Sequence, residues 1–304
     1  MTSKIERVFV WIWLPDQTTP VVAGFIERLD NKLTFAYGKS YLARDNAIPI
    51  FTPELPLTDE RIYPDDNMEM ASCIRDASPD AWGRRVILNR LYGKNFDNNI
   101  DTGLTDELVY LMESGSNRIG ALDFQASPSD YIPRGVEEGT LDELVNAAEL
   151  VNKGVALPPE LAKALMHGTS IGGARPKAII KDDGQQFVAK FSSSVDTYDV
   201  VKAEFIAMKL AELAGLNVAP VKLVESMGRS ILLVKRFDRI RNNGEWTRRS
   251  IVSALTVLNL SDDFARYASY EELATAIRKQ FKNPTQDLNE LFKRIVFNIL
   301  VGNN

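Results

Sequence analysis

Residues 170–177 read Ser170-Ile171-Gly172-Gly173-Ala174-Arg175-Pro176-Lys177, and the extended pattern begins at their end. Lys177 to Ile180 is an extended, largely apolar run, Asp182-Asp183-Gly184 is a turn signal, and Phe187 to Phe191 is a second extended run. That spacing predicts a β-hairpin. Two glycines and a serine in the turn that opens it let successive main-chain N–H groups converge with no Cβ in the way. The result is a concavity suited to phosphate oxygens.

Val188-Ala189-Lys190-Phe191 carries a single cation between apolar neighbours, and a buried ammonium requires a partner. The next segment, Asp199 to Ala214, has helical periodicity with Val201, Phe205 and Met208 on one face. Glu204 falls within that stripe, a carboxylate on an apolar seam. A strand lysine, a glutamate on the following helix and a phosphate-cradling turn upstream form, in that order, the nucleotide-holding half of a protein-kinase-type site. Each piece also has a plainer reading: a hairpin turn, a snorkelling lysine and a boundary glutamate. Their order and spacing favour the joint reading, an anion pocket at the mouth of a five-stranded lobe.

Ser170 to Lys177, Val188 to Phe191, Glu204 to Pro220 and Leu233-Val234-Lys235-Arg236-Phe237-Asp238-Arg239 resemble the HipA family of serine/threonine kinases, the toxin halves of toxin–antitoxin pairs. Upstream, Tyr37 to Pro56, Asp76 to Arg85 and Arg118-Ile119-Gly120-Ala121-Leu122 are similar to that family's N-terminal domain. The resemblance implies an α+β chain: a small N-terminal antiparallel β domain (1–126), a linker (127–140) and a kinase-like domain (141–304). The last would comprise an ATP-binding lobe (141–239) and the truncated start of a helical C-terminal lobe (240–304).

It also implies ATP and Mg²⁺ as cofactors, with Gly172, Gly173, Ala174, Arg175, Pro176 and Lys177 covering the phosphates, Lys190 neutralising them and Glu204 pairing with Lys190. Backbone groups of Lys235 and Phe237, with Arg236 between them, would meet the adenine, and Asp238 the ribose. Ser170 would be the site of autophosphorylation. Implied partners are a HipB-type antitoxin, a protein substrate of the translation machinery, and operator DNA reached only through the antitoxin.

Composition narrows the classes. Hydrophobic residues at 45% and charged ones at 25% are ordinary for a globular chain, and 304 residues suffice for about two domains. A net charge of −5 argues against DNA binding through a broad basic surface. Cys73 is the only cysteine, so no intrachain disulfide forms, and it reads as a small buried hydrophobe in a reducing cytoplasm. His167 is the only histidine, which excludes a multi-histidine metal site; it reads as a loop residue. Met1 to Trp13 has no signal-peptide pattern and no run is long and apolar enough to cross a membrane, so a cytoplasmic protein is expected.

In chain order, Ile5 to Leu14, Val21 to Leu29 and Lys32 to Tyr37 read as strands, the last two joined at Asp30-Asn31. Ala47 to Leu57, with three prolines, reads as an extended arm. Pro79 to Leu91 reads as a helix with Trp82, Val86 and Leu91 near one face, and Thr105 to Met112 as a second. In the family this stretch ties the two domains together; Trp82 and the arginines near it also fit simple domain packing. Leu141 to Lys153 and Pro158 to Leu165 are helical by periodicity. Val221 to Val224 and Ser230 to Val234 pair around Met227-Gly228-Arg229.

Phosphoryl transfer needs a carboxylate to orient the attacking hydroxyl and further oxygens to hold Mg²⁺. In the family these follow a helix end resembling Phe297 to Asn304, so no catalytic base and no metal ligand are expected within the chain. Leu288 to Val301 is apolar almost all round, a pattern normally buried on every side, yet the residues after the Glu204 helix are too few to enclose it, which points to a fragment, a truncated product or one piece of a split protein. Two other readings stay open: an inactive module that binds an antitoxin or cognate kinase, and a small-molecule phosphotransferase, which the Ser170 loop fits less well.

Overall fold

The computed structural model describes residues 5–93, 105–135, 139–166, 175–192, 196–242 and 244–303. The chain is mixed α and β with antiparallel sheets. Strands β1 (Arg7–Ile12), β2 (Val21–Leu29) and β3 (Lys32–Tyr37) form a meander, and β4 (Leu122–Gln125) adds to the other edge of β1, giving the order β3-β2-β1-β4. The alternation expected of a half-buried sheet is present: Val8, Val10 and Ile12 join Ile26, Leu33, Phe35 and Phe124 in one core. Asp30 has φ 53° in the β2–β3 turn, the left-handed conformation that a two-residue hairpin turn of this type demands.

Helices α1 (Lys39–Leu42) and α2 (Ser72–Arg75) are single turns, and Ala47 to Leu57 contains no helix, as its prolines require. Cys73 is buried in the first core, and burial pushes its thiol up. Helix α3 (Ala81–Tyr92) starts at Asp80, whose carboxylate accepts from Gly83 N at 2.8 Å, and α4 (Glu107–Glu113) follows. Trp82 and Val86 face inward, whereas Leu91, expected beside them, is 44% exposed. The correction is geometric: nine residues at 100° each place Leu91 opposite Trp82.

Helices α5 (Leu141–Asn152) and α6 (Pro159–Met166) precede a second sheet of β5 (Lys177–Asp182), β6 (Gln185–Phe191), β7 (Val221–Ser226) and β8 (Arg229–Lys235). A capping box between Thr140 and Glu143 begins α5. The second sheet has the order β5-β6-β8-β7, so among the described residues it has four strands, not the five expected. Asp183 and Gly184, with φ 46° and 63°, make the β5–β6 turn. One face buries Ala178, Ile180, Phe187, Ala189, Phe191, Ile231 and Leu233 against α5 and α6. Trp82 and Val86 of α3 belong to the same core, so a helix from the N-terminal segment packs inside the second unit. Helix α7 (Val200–Leu213) lies against β7 and β8, and Gly215 at φ 74° follows its end.

Beyond β8, β9 (Arg239–Asn242) and β10 (Glu245–Arg248) form a separate hairpin. Then come α8 (Ala254–Val257), a 3₁₀ turn (Asp262–Tyr267), α9 (Tyr270–Gln280) and α10 (Pro284–Val301), the last two packed together. Helix α10 is left unenclosed, as expected of an apolar helix with so few residues around it: no residue of it is buried, and Phe292, Ile299 and Leu300 are 66%, 70% and 78% exposed. Residues 127–135, read as linker, are fastened to the first sheet. Tyr131 donates to Asp123 at 2.9 Å and Arg134 to Asp123 at 2.9 Å and Met112 O at 2.6 Å. No described helix is long and apolar enough to cross a membrane.

Candidate functional site

Alternation along β6 sends Phe187, Ala189 and Phe191 into the core, which leaves Lys190 on the opposite face. There its ammonium donates to Glu204 of α7, closing an ion pair between sheet and helix. The two side chains are about one-third exposed, at 32% and 33%, so the pair is open to solvent and Glu204 is not on a buried seam. Of the apolar residues read on that helix stripe, Val201 is buried, while Phe205 and Met208 are half-buried. Glu204 also lines a groove of about 500 Å³ between α7 and α10, with Met208, Ala211, Phe297 and Val301. A partly hydrated ammonium steered by a carboxylate beside a cavity is suited to meet an anionic ligand.

Lys177 lies directly across the ladder from Lys190, so the two cations are neighbours on adjacent strands. Its ammonium, however, goes to Asp80 at 2.6 Å and is almost fully buried. Lys177, expected to help cover the phosphates, thus forms a buried pair that ties β5 to the N-cap of α3. Burial lowers Lys177 and raises Asp80 from their ordinary ranges, each opposed by the charge of the other. Trp82 Nε1 donates to Lys177 O at 3.1 Å, capping the outer edge of β5. Arg175 pairs with Asp196 at 2.8 Å, and Pro176 is buried, its carbonyl accepting from Phe191 N at 3.1 Å. Ser170, Gly172, Gly173, Ala174 and His167 lie outside the described residues.

The segment after β8 differs most from expectation. Lys235 N donates to Pro220 O and Arg236 N to Gln186 O, both at 2.9 Å, so these main-chain donors are already engaged. Phe237 is 60% exposed. The Asp238 side chain is turned inward. Its carboxylate is 1% exposed and accepts from Arg236 Nε (2.9 Å) and Nη2 (2.6 Å), Arg239 Nη1 (2.8 Å) and Gly120 N (2.9 Å). Burial pushes that carboxyl up, but the bonds from Arg236 outweigh it and hold it below the usual carboxylate range. Arg236 likewise turns inward to Asn117 and Arg118 O. Asp238, expected at the ribose, and Arg236, expected between the adenine-binding backbone groups, thus have their side chains in an internal polar cluster.

Sequence reasoning missed Asp80, Asn117 and Gln186 as partners of these residues. Asp80 carries a local signal as a helix N-cap, but nothing local names Lys177 as its partner. The hairpin β9–β10 was signalled by Asn243-Gly244, a turn dipeptide, and obscured by its charged strands. Among the described residues no group of three or more His, Cys, Asp or Glu side chains could hold a metal ion.

Comparison with known proteins agrees with this architecture. Residues 12–125 match the model of the HipA N-terminal domain, and residues 169–304 that of the HipA-like C-terminal domain. The provisionally named kinase Y4mE of Sinorhizobium fredii is 27% identical over 307 residues, 93% of this chain and 68% of that protein. The serine/threonine-protein kinase toxin HipA of Shewanella oneidensis is 29% identical over 159 residues, 44% of this chain but only 36% of that one. A solved Shewanella oneidensis complex of HipA, HipB and operator DNA contains a chain that superposes with a TM-score of 0.62 at 17% identity, covering 97% of this chain and 70% of that chain. With both domain models matched in order over most of its length, the chain belongs to the HipA family.

Proposed function

We propose that the protein acts as a HipA-type toxin kinase, holding ATP against the outer face of the second sheet for transfer of its γ-phosphate to serine or threonine of a protein substrate. The observation that carries this reading is the Lys190–Glu204 pair, which sets a solvent-reachable ammonium beside a groove. The family and the kinase names of the relatives support it. When bound, ATP supplies the transferable phosphoryl group. Lys190 would meet its phosphate charge, and Glu204 would hold the ammonium in place. The carbonyl of Lys235, whose N–H is engaged by Pro220 O, and the main chain of the exposed Phe237 would receive the adenine.

Mg²⁺, held as a rule by one or two carboxylates together with the phosphates of the nucleotide, would accompany ATP; no group of three or more His, Cys, Asp or Glu among the described residues forms a cage for it. The finer parts of the reading are a translation-machinery substrate, self-inactivation at Ser170, a HipB-type antitoxin, and operator DNA bound through that antitoxin. A phosphate on Ser170 would add charge that repels ATP from the cradle.

ATP binding by calorimetry tests the core of this. Lys190→Ala should weaken affinity about tenfold or more, the loss of a charge-assisted contact. Unchanged affinity would remove Lys190 from the site. Incubation with labelled ATP and phosphate mapping tests Ser170 and added proteins. Exposed apolar residues on α10 favour a second reading, a binding module for an antitoxin or cognate kinase. ATP binding without any phosphate transfer, together with antitoxin binding, would select the module.

A further inference from the structure

We infer that the segment carrying the adenine-binding backbone is held in place by the N-terminal domain, with Asp238 and Asn117 as positioning residues rather than ligand contacts. This rests on the nucleotide reading above. Arg236 and Asp238 flank Phe237 and bond to each other in a two-toothed pair, so both turn inward while Phe237 is left 60% exposed. The local backbone shape follows from that knot. Loop 117–120 of the N-terminal domain then fastens it.

Asn117 Oδ1 accepts from Arg236 Nη1 at 2.9 Å and Arg239 Nη2 at 3.2 Å, and Arg118 O accepts from both arginines. Gly120, at φ 74°, aims its N–H at Asp238, a conformation that strains any residue with a Cβ. Asn117 Nδ2 continues to Gln186 Oε1 at 3.2 Å, and Gln186 O takes Arg236 N. One network thus binds the loop, the start of β6 and the segment after β8. It is buried: Arg236, Asp238 and Arg239 are 4%, 1% and 6% exposed. Buried networks of this kind fix one geometry because each alternative leaves a charge unpaired.

The consequence is separable by ligand. Loss of the network should disturb the adenosine end of the nucleotide and spare the phosphate end, where Lys190 sits on a different strand position. Binding of ATP, adenosine and tripolyphosphate is measured by calorimetry on the full chain and on Asn117→Ala, Asn117→Asp, Asp238→Asn and Lys190→Ala. Asn117→Ala and Asp238→Asn should weaken ATP and adenosine about tenfold and leave tripolyphosphate within about twofold. Asn117→Asp keeps an acceptor for both arginines and should restore adenosine binding. Lys190→Ala should show the reverse pattern, losing tripolyphosphate and sparing adenosine.

Wild-type protein that binds no ATP overturns the nucleotide reading, and this inference with it. Wild-type binding with unchanged adenosine affinity in Asn117→Ala overturns the positioning role alone. Equal loss of all three ligands in Asn117→Ala also overturns it, because that outcome marks a folding defect.

Discussion

Lys177 and Lys190 show how two residues of one type, side by side on a sheet, take different work. Lys190 stays reachable because its partner Glu204 is on a helix open to solvent, while Lys177 is enclosed with Asp80 at the domain junction. An enclosed ammonium that loses its carboxylate is costly, since the opposite charge is removed from a site largely shut off from water. Asp80→Ala should therefore destabilise the protein by about 3 kcal/mol in urea unfolding. Adding Lys177→Met to that variant should recover most of the loss. Failure of the second substitution to help would mean that Asp80 acts chiefly as a helix cap.

Among the elements, α10 presents its apolar residues outward. An amphipathic or all-apolar helix gains stability from what it touches, and Ile299 and Leu300 touch little. The double substitution Ile299→Glu with Leu300→Glu should change unfolding free energy by less than about 0.5 kcal/mol, as for other exposed positions. A loss of several kcal/mol would show that these residues are packed. Helix α3 is the contrasting case: Trp82 is fully buried and shared with α5, α6 and the second sheet.

At the scale of the whole molecule, two buried aspartates organise the junction. Asp238 joins the loop at Gly120 to the segment after β8, and Asp123 gathers Arg118, Arg134 and Tyr131. Burial pushes the Asp123 carboxyl up, yet the arginines outweigh it and hold it at about 2, against 3.8 for a free aspartate. A carboxyl depressed in the folded state stabilises fully above its unfolded value and loses that contribution as pH falls through the folded one. Urea midpoints should thus fall steeply between about pH 4 and pH 2. Asp123→Asn should be less stable at neutral pH and flatter across that window. An equally steep fall in the variant would assign the acid sensitivity to other carboxyls.

The family resemblance supplied the pairing of Lys190 with Glu204, and the sequence by itself determined the hairpins β2–β3, β5–β6 and β7–β8 and the helices from α3 to α7 within a few residues. Those features depend on turn residues, periodicity and neighbours close along the chain. Only the tertiary structure decided that Lys177 answers to Asp80, 97 residues away, and Asp238 to Gly120, 118 residues away. It also decided that α3 belongs to the second core. The physical reason is that a charge or an apolar face states a need for a partner, but which partner meets it is set by where the chain folds back in space.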